Sequence, residues 1–460
     1  MASITHFQDV LQRQWFQKIK FIGEYLRPED LTEAAAAAKY RWRNRLWPPM
    51  QMLWAFLVQV LHPGWSSAAA VAEVLAEHAA AGQPLKASAD PSAYDQARKR
   101  VPESMYRYAL RTVGQRLQAK VGEAYRWCGR RVWVVDGSHC SMPDTPELQE
   151  AFGQPTGQKK GCGFPVAKFV AMFCWASGAV REVAIGAYRS NELSLWRQLW
   201  DQLQGGDVVL GDRFFGAYGE LAQLAARGCN GVFRLWGRRA SKLDLRRGRR
   251  LGKEDRLLVW SKPKGRLRTL TPAEVAALPA TLAVRVLRFH TQVKGFRSRT
   301  VVVVTTLLDP VAYPREQIAA LYGDRWTVEL RLRDLKTTLR MEVLRGQSPD
   351  VVRKEILMHF LAYDLIRALM WHAAQEHDRP LHRLSFARTM QRFEAIAPYL
   401  CLFRGTAHAT ELYSLLLSWI ASDIVPDRPH RVEPRAVKRR PKPHKLLTRP
   451  RKEMRKVLSR

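Results

Sequence analysis

Cysteine is sparse in this chain. Six are spread over 460 residues, at positions 128, 140, 162, 174, 229 and 401. None forms a C-x-x-C pair, and no histidine pair stands at zinc-finger spacing, which argues against a zinc site. Spacing this irregular in a chain this long suggests reduced thiols in a cytosolic protein rather than a disulfide scaffold. Long apolar runs are lacking too. MLWAFLVQVL and ILMHFLAYDLIRALM are too short, or too interrupted by charge, to span a bilayer, so both read as buried helices. The first residues, MASITHFQDVLQRQWF, lack the basic-then-apolar layout of a secretory leader. Acidic residues are scarce: 42 Asp and Glu face 75 Lys and Arg, a net charge of +33 and a pI near 10.4. A chain this basic calls for an anionic partner. Nucleic acid is the first expectation, because neutralising phosphates releases counterions. A membrane surface and an acidic protein are its rivals.

Hydrophobic residues make up 47% of the chain. That is enough to bury a core and argues against wholesale disorder. The length suggests two or three domains. Residues 1–125 read as helical. An alanine run at 34–38 leads into KYRWRNRLWPP, an apolar stretch ends at His62-Pro63-Gly64, and SAYDQARKR (92–100) is a cationic helical segment. This region is the expected helical DNA-binding domain; a helical bundle with solvated cations reads as well from local sequence.

At Arg131 the pattern changes. RVWVVDGS is a β-branched run with a turn signal, which places Asp136 at a strand end. KFVAMFCW (168–175) and AVREVAIG (179–186) read as two further strands, and the helical NELSLWRQLWDQL follows. GDVVLGDRFF supplies a strand ending at Asp212, and after another helix GVFRL (231–235) is a fifth strand. This order fits one mixed α/β sheet with helices packed on its faces. Residues 126–235 form the first part of this core, and 236–312 a strongly basic, β-rich insertion. Residues 313–375 form the second part of the core, opening on a long helix with Pro314 at its start. C-terminal helices occupy 376–425. A proline-containing basic tail, read as an extended arm, fills 426–460.

Two carboxylates at the ends of neighbouring strands, Asp136 and Asp212, can share divalent ions at the sheet edge, where ligands sit in α/β folds. Strand-end aspartates are also common as turn residues, so the pair alone says little. The helix beyond Pro314 says more. Tyr322, Arg325, Glu329 and Lys336 fall within a stripe of roughly 60° on an ideal helix. Glu329 would complete a metal site. Arg325 and Lys336 would hold phosphates, one through a fork and one as a point charge. Tyr322 could donate to a phosphate oxygen. An ordinary intrahelical Glu–Arg pair on a solvated face is the plainer alternative. Arg213, beside Asp212, reads equally as a DNA contact or a salt-bridge partner. His139 could ligate a metal, but Mg²⁺ prefers oxygen, so a loop histidine is the better reading. Glu182, Glu192 and Asp207 are rival carboxylates; Glu182 and Asp207 sit by strand starts, which counts against them. Asp324 and Asp334 lie off the stripe and are expected to face solvent or cations.

Tyr322, Arg325, Glu329 and Lys336 together resemble the YREK signature of bacterial insertion-sequence transposases of the DDE class, type-four family. DGSHCSMPDTPELQEAFGQPTGQKKGCGFPVAKFV resembles that family's first-aspartate block and GDVVLGDRFFGAYGEL its second. LYGDRWTVELRLRDLKTTLRMEVLRG resembles its glutamate block. The resemblance runs along nearly the whole chain. It implies a ribonuclease-H-like mixed sheet with helices on both faces and a β-rich insertion before the catalytic glutamate. It implies catalysis by Asp136, Asp212 and Glu329 with Mg²⁺, or Mn²⁺ as a substitute. The substrates it implies are double-stranded DNA, as element terminal inverted repeats and as target, handled by a homodimer in a synaptic complex. A cytoplasmic, nucleoid-associated location follows, with no membrane partner. Some relatives stack a flipped base on an aromatic of the insertion; Trp236, Trp260 and Phe296 are the candidates here, with core packing as the alternative. An inactive or domesticated DNA-binding derivative and a structure-specific nuclease are the competing readings of the same residues.

Overall fold

The computed structural model describes residues 20–426 and 446–458, apart from 43–45, 81, 83, 85–86, 237–239, 241–243, 245, 266, 268, 291–299 and 404. Its centre is a nine-stranded sheet. The strands are β1 (Val132–Ser141), β2 (Val166–Cys174), β3 (Val180–Ala187), β4 (Val208–Gly211), β5 (Asn230–Arg234), β6 (Arg249–Gly252), β7 (Asp255–Ser261), β8 (Thr281–His290) and β9 (Thr300–Thr305). Their order is β3-β2-β1-β4-β5-β9-β8-β7-β6. β1, β2 and β3 run antiparallel, while β4 and β5 run parallel to β1. This is the ribonuclease-H-like arrangement implied by the resemblance. β5 then pairs antiparallel with β9, and β8, β7 and β6 follow. The basic stretch 236–312 therefore prolongs the same sheet, with β9 bonded directly to the core.

Alternation sorts the strand residues onto two faces. Val132, Val134, Phe169, Phe173, Val208 and Leu210 belong to the larger apolar core. Trp133, Val135, Val170, Met172 and Val209 belong to a second core on the other face, with Trp196 and Phe215. The long helix Pro349–Glu376 buries most of its length in the larger core. There it packs with Glu103–Val121 and Pro49–Leu61, so the N-terminal helices share that core with the sheet. A continuous apolar run such as β2 is what a strand covered on both faces requires.

Three local expectations need correction. β1 does not end at Asp136. It runs on to Ser141 because β2 pairs with it as far as Ser141↔Val166, so His139 stands in a strand rather than a loop. The helix beyond Pro314 is not one regular rod. Arg315–Asp324 and Trp326–Arg333 join at Arg325 through i→i+3 bonds, Arg325 N–H to Tyr322 O and Val328 N–H to Arg325 O. A widened π-turn, Asp334–Thr338, then carries Lys336. The tail is not extended throughout: Arg451–Leu458 is helical, while 427–445 lie outside the described residues. Among the described residues no helix is long and apolar enough to cross a membrane.

Candidate active site

Asp136 and Asp212 meet at the fork where β1 and β4 part. The two strands pair through Val132↔Val208, Trp133↔Val209 and Val134↔Leu210. Past that point β1 continues with β2, placing Asp136 opposite Ala171, and β4 stops at Gly211. Asp212 is the next residue. Its carboxylate accepts the Phe214 N–H at 2.6 Å, an Asx turn that holds the loop as the chain leaves the sheet. The Asp136 carboxylate accepts the Gly137 N–H at 2.9 Å. Burial pushes the Asp136 carboxyl up to about 7. The Gly137 amide and Arg325 oppose that rise, and the charges of Asp212 and Glu192 add to it. A half-buried carboxyl raised in this way is either held protonated or balanced by a cation.

Glu329 stands on the helix Trp326–Arg333. Its Oε1 accepts from Arg325 Nη2 at 2.7 Å. Arg325 also acts electrostatically on Tyr322 and Asp136, and these partners outweigh the cost of its burial. Tyr322 is buried with its ring edge-on to Phe289, centroids 6.3 Å apart. Burial pushes its hydroxyl up to about 12, with Arg325 opposing, so it remains a donor at neutral pH. Lys336 shares with Glu329, Arg333 and Glu342 a cavity of about 330 Å³. The helix is fixed from behind by Arg331, which sequence spacing did not single out. Arg331 is buried and donates to the Cys174 and Trp175 carbonyls at 2.9 and 2.8 Å, tying the glutamate helix to the β2–β3 turn.

The three carboxylates are not drawn into one cluster. Among the described residues, no group of three or more His, Cys, Asp and Glu side chains is placed to hold a metal ion. Asp136 and Asp212 are close enough to repel, while Glu329 is turned to Arg325. The donor chemistry nevertheless fits a hard divalent ion: the ligands on offer are carboxylate oxygens.

The rival carboxylates have structural partners. Glu182 is buried and pairs with Arg107 at 2.6 Å and with Arg111. Asp207 accepts both arms of Arg131, at 2.8 and 2.9 Å, and the Trp133 indole at 2.9 Å. Asp324 accepts the Trp175 indole N–H. Asp334 is raised to about 6 by burial, with Arg333, Arg367 and Arg331 opposing. Glu192 is different: burial, then the Asp212 charge, raises its carboxyl, and its own charge adds to the rise of Asp136. Arg213 is exposed and lies 5.1 Å over the Trp236 ring. Trp236 is 47% exposed; Trp260 packs between core clusters; Phe296 lies outside the described residues. His139 faces solvent, and burial followed by the Lys336 charge holds it below the usual histidine range.

The family model of the transposase DDE domain matches residues 127–365, which takes in the fork, β1 through β9 and the glutamate helix. The chain is 28% identical over 436 residues to the transposase InsG for insertion sequence element IS4 of Escherichia coli (strain K12), covering 91% of this chain and 92% of the relative. Among solved structures it is similar to a cryo-EM structure of the piggyBac transposase synaptic complex with hairpin DNA. The TM-score is 0.46 and the identity 8%, over 89% of this chain and 86% of that one. The chain belongs to the DDE-domain transposases.

Proposed function

We propose that this transposase binds the terminal inverted repeats of an insertion sequence, cuts their phosphodiester bonds and joins the freed element to target DNA. In this reading Asp136, Asp212 and Glu329 hold divalent ions, Mg²⁺ in the cell with Mn²⁺ as a working substitute. When bound, such ions activate the attacking oxygen and stabilise the leaving one. The observation that carries the reading is the position of Arg325. It is paired with Glu329, and Asp136 and Tyr322 both act on its charge. A guanidinium in that place prefers a phosphate fork when one arrives. DNA entering the fork would draw Arg325 off Glu329 and leave the glutamate free to join the aspartates.

Lys336 supports the same picture. It lines both the small cavity beside Glu329 and a larger one of about 840 Å³ that Arg98, Lys99, Arg340 and Arg345 also line. This cationic cleft runs between the N-terminal helices and the glutamate segment, in keeping with a DNA-binding role for residues 1–125. Arg213, stacked on exposed Trp236, offers a cation and an aromatic face for DNA at the rim. Synapsis of two element ends calls for two active sites, hence a homodimer on DNA in the cytoplasm, at the nucleoid.

The test is a Mg²⁺-dependent nicking assay on duplexes carrying the inverted repeats that flank the reading frame. Asp136→Ala, Asp212→Ala and Glu329→Ala should each abolish cleavage and leave end binding largely intact. Cleavage by any one at the wild-type rate would remove that residue from the triad. Tight binding without cleavage by wild type would mark a catalytically inactive derivative, and equal cutting of unrelated duplexes would mark a general nuclease.

A further inference from the structure

The helix that carries Glu329 is short and irregular at both ends. Trp326–Arg333 spans eight residues. It meets Arg315–Asp324 through the i→i+3 break at Arg325 and gives way at Asp334 to the π-turn. Its rotation is therefore only loosely inherited from either neighbour, and a helix this short depends on tertiary contacts. It packs against β1 with Val328, Arg331 and Leu332 buried. Val328 and Leu332 lie in the larger core, but apolar burial is non-directional and leaves a short helix able to roll about its axis.

Arg331 opposes that roll. It lies about 200° around the helix from Glu329, and its guanidinium donates to the Cys174 and Trp175 carbonyls at 2.9 and 2.8 Å. A second tie stands about two turns earlier, where Asp324 accepts the Trp175 indole N–H at 3.1 Å. Both ties end where β2 enters the β2–β3 turn, and that turn is itself pinned by the helix Pro349–Glu376. Arg367 donates twice to the Ser177 carbonyl, at 3.1 and 2.6 Å, and the Tyr363 hydroxyl donates to the Gly178 carbonyl at 3.2 Å. Gly178 has a φ of +78°, and a Cβ there would lie 2.8 Å from Arg367 Nη2, so glycine is what lets the arginine close over the turn. The socket is built on the core, and the glutamate helix hangs from it.

Packing alone does not call for an arginine at 331. Among the described residues its guanidinium forms no salt bridge, and a buried charge held on carbonyls costs stability that a methionine of similar length would not. What the guanidinium adds is direction, through a planar fork on two fixed acceptors. We propose that Arg331 is a positioning residue for strand cleavage: by gripping the β2–β3 turn from the back of the helix, it sets the rotation at which Glu329 is presented. This rests on the reading of Glu329 as part of the catalytic centre. A roll of ~10° moves a side-chain tip ~5 Å from the axis by about 1 Å. A misplacement of that size costs about 100-fold in rate.

The test uses the full chain and duplexes carrying the element ends. Arg331→Met should lower the single-turnover cleavage rate about 100-fold while end affinity stays at the wild-type value. Arg331→Lys, which keeps the charge but only as a point donor, should fall between the two. Without metal or DNA, amide hydrogen exchange over residues 326–333 should quicken in Arg331→Met while the helix Pro349–Glu376 keeps its protection. Because Arg331 acts through Glu329, its loss should cost far less in a Glu329→Asp background, where the carboxylate is already drawn back. Where Arg331→Met does not fold, Arg331→Lys takes its place in every comparison. Wild-type cleavage by Arg331→Met, unchanged exchange over 326–333, or full additivity with Glu329→Asp would each overturn the proposal. Protection lost throughout the chain, with a wild-type rate per folded molecule, would mark a purely structural role and overturn it too. Inactive Glu329→Gln beside fully active Arg331→Met would overturn the role of Arg331 alone; Glu329→Gln cutting at the wild-type rate would overturn the reading of Glu329 and the proposal with it.

Discussion

Arg325 and Glu329 form an i,i+4 pair whose glutamate side chain is 38% exposed. Pairs of this kind contribute only about 0.3–0.5 kcal/mol. Glu329→Gln should therefore leave thermal stability nearly unchanged, while strand cleavage falls by about 10³-fold or more, the scale expected when several kcal/mol of metal-assisted stabilisation are lost. A large drop in melting temperature would show that the pair is structural. Asp364 is the opposite kind of acid. It is fully buried on the helix Pro349–Glu376, accepts the Val180 N–H at 2.8 Å through one oxygen, and has no hydrogen-bond partner among the described residues for the other. Burial holds its pKa well above the ordinary value. The folded chain thus keeps a proton that the unfolded chain releases above about pH 4. Its contribution to stability is full below that pH and is lost as pH rises toward the folded-state pKa. Asp364→Asn preserves the Val180 bond and removes this loss. Its melting temperature relative to wild type should rise between about pH 4 and 8; a constant difference would contradict the assignment.

At the scale of elements, the strands of the basic stretch are locked by one buried ion pair. Arg285 on β8 is fully buried and holds Asp255 of β7 at 2.5 Å, while its Nη1 reaches the Tyr313 carbonyl at 2.7 Å. Asp255→Ala leaves a buried guanidinium unpaired, a loss of about 3–5 kcal/mol, and chemical denaturation should show it. A much smaller loss would mean that water reaches Arg285. Strand identities were legible because β1, β2, β3 and β9 are rich in valine and aromatics. The full length of β1 was not, because the Asp-Gly pair reads locally as a turn, and only pairing with β2 carries the strand past it. The break at Arg325 and the π-turn at Lys336 were equally hidden. The composition there is that of a good helix, and the widening shows only in bonds such as Leu339 N–H to Asp334 O.

For the whole molecule, charge decides behaviour toward DNA. With a net charge of +33, binding should weaken steeply with salt, with a log–log slope near −0.9 for each phosphate neutralised. Lys336→Ala should lower affinity on any duplex sequence and reduce the magnitude of that slope by about 1. An unchanged slope would place Lys336 off the phosphates. The N-terminal helices, read from sequence as a separate unit, in fact share the larger core with the sheet through the helices Glu103–Val121 and Pro349–Glu376. Local pattern shows that a helix has an apolar face; it does not show which neighbour will cover it.

The order of strands and helices along the chain, its basic character and the DDE-transposase resemblance are written in local residue types and spacings, and one sequence sufficed for them. What the tertiary structure decided are relations between distant residues. Glu182 and Asp207, disfavoured in the sequence by their place at strand starts, gained structural partners only when Arg107, Arg111 and Arg131 came to rest against them. Glu192, 56 positions from Asp136 in sequence, lies over Gly137, where a side chain would collide with it. The pairing of Arg325 with Glu329 likewise sits where the helix breaks at Arg325. A carboxylate's role follows from the charges around it, and those are set by chain segments that meet only in the fold.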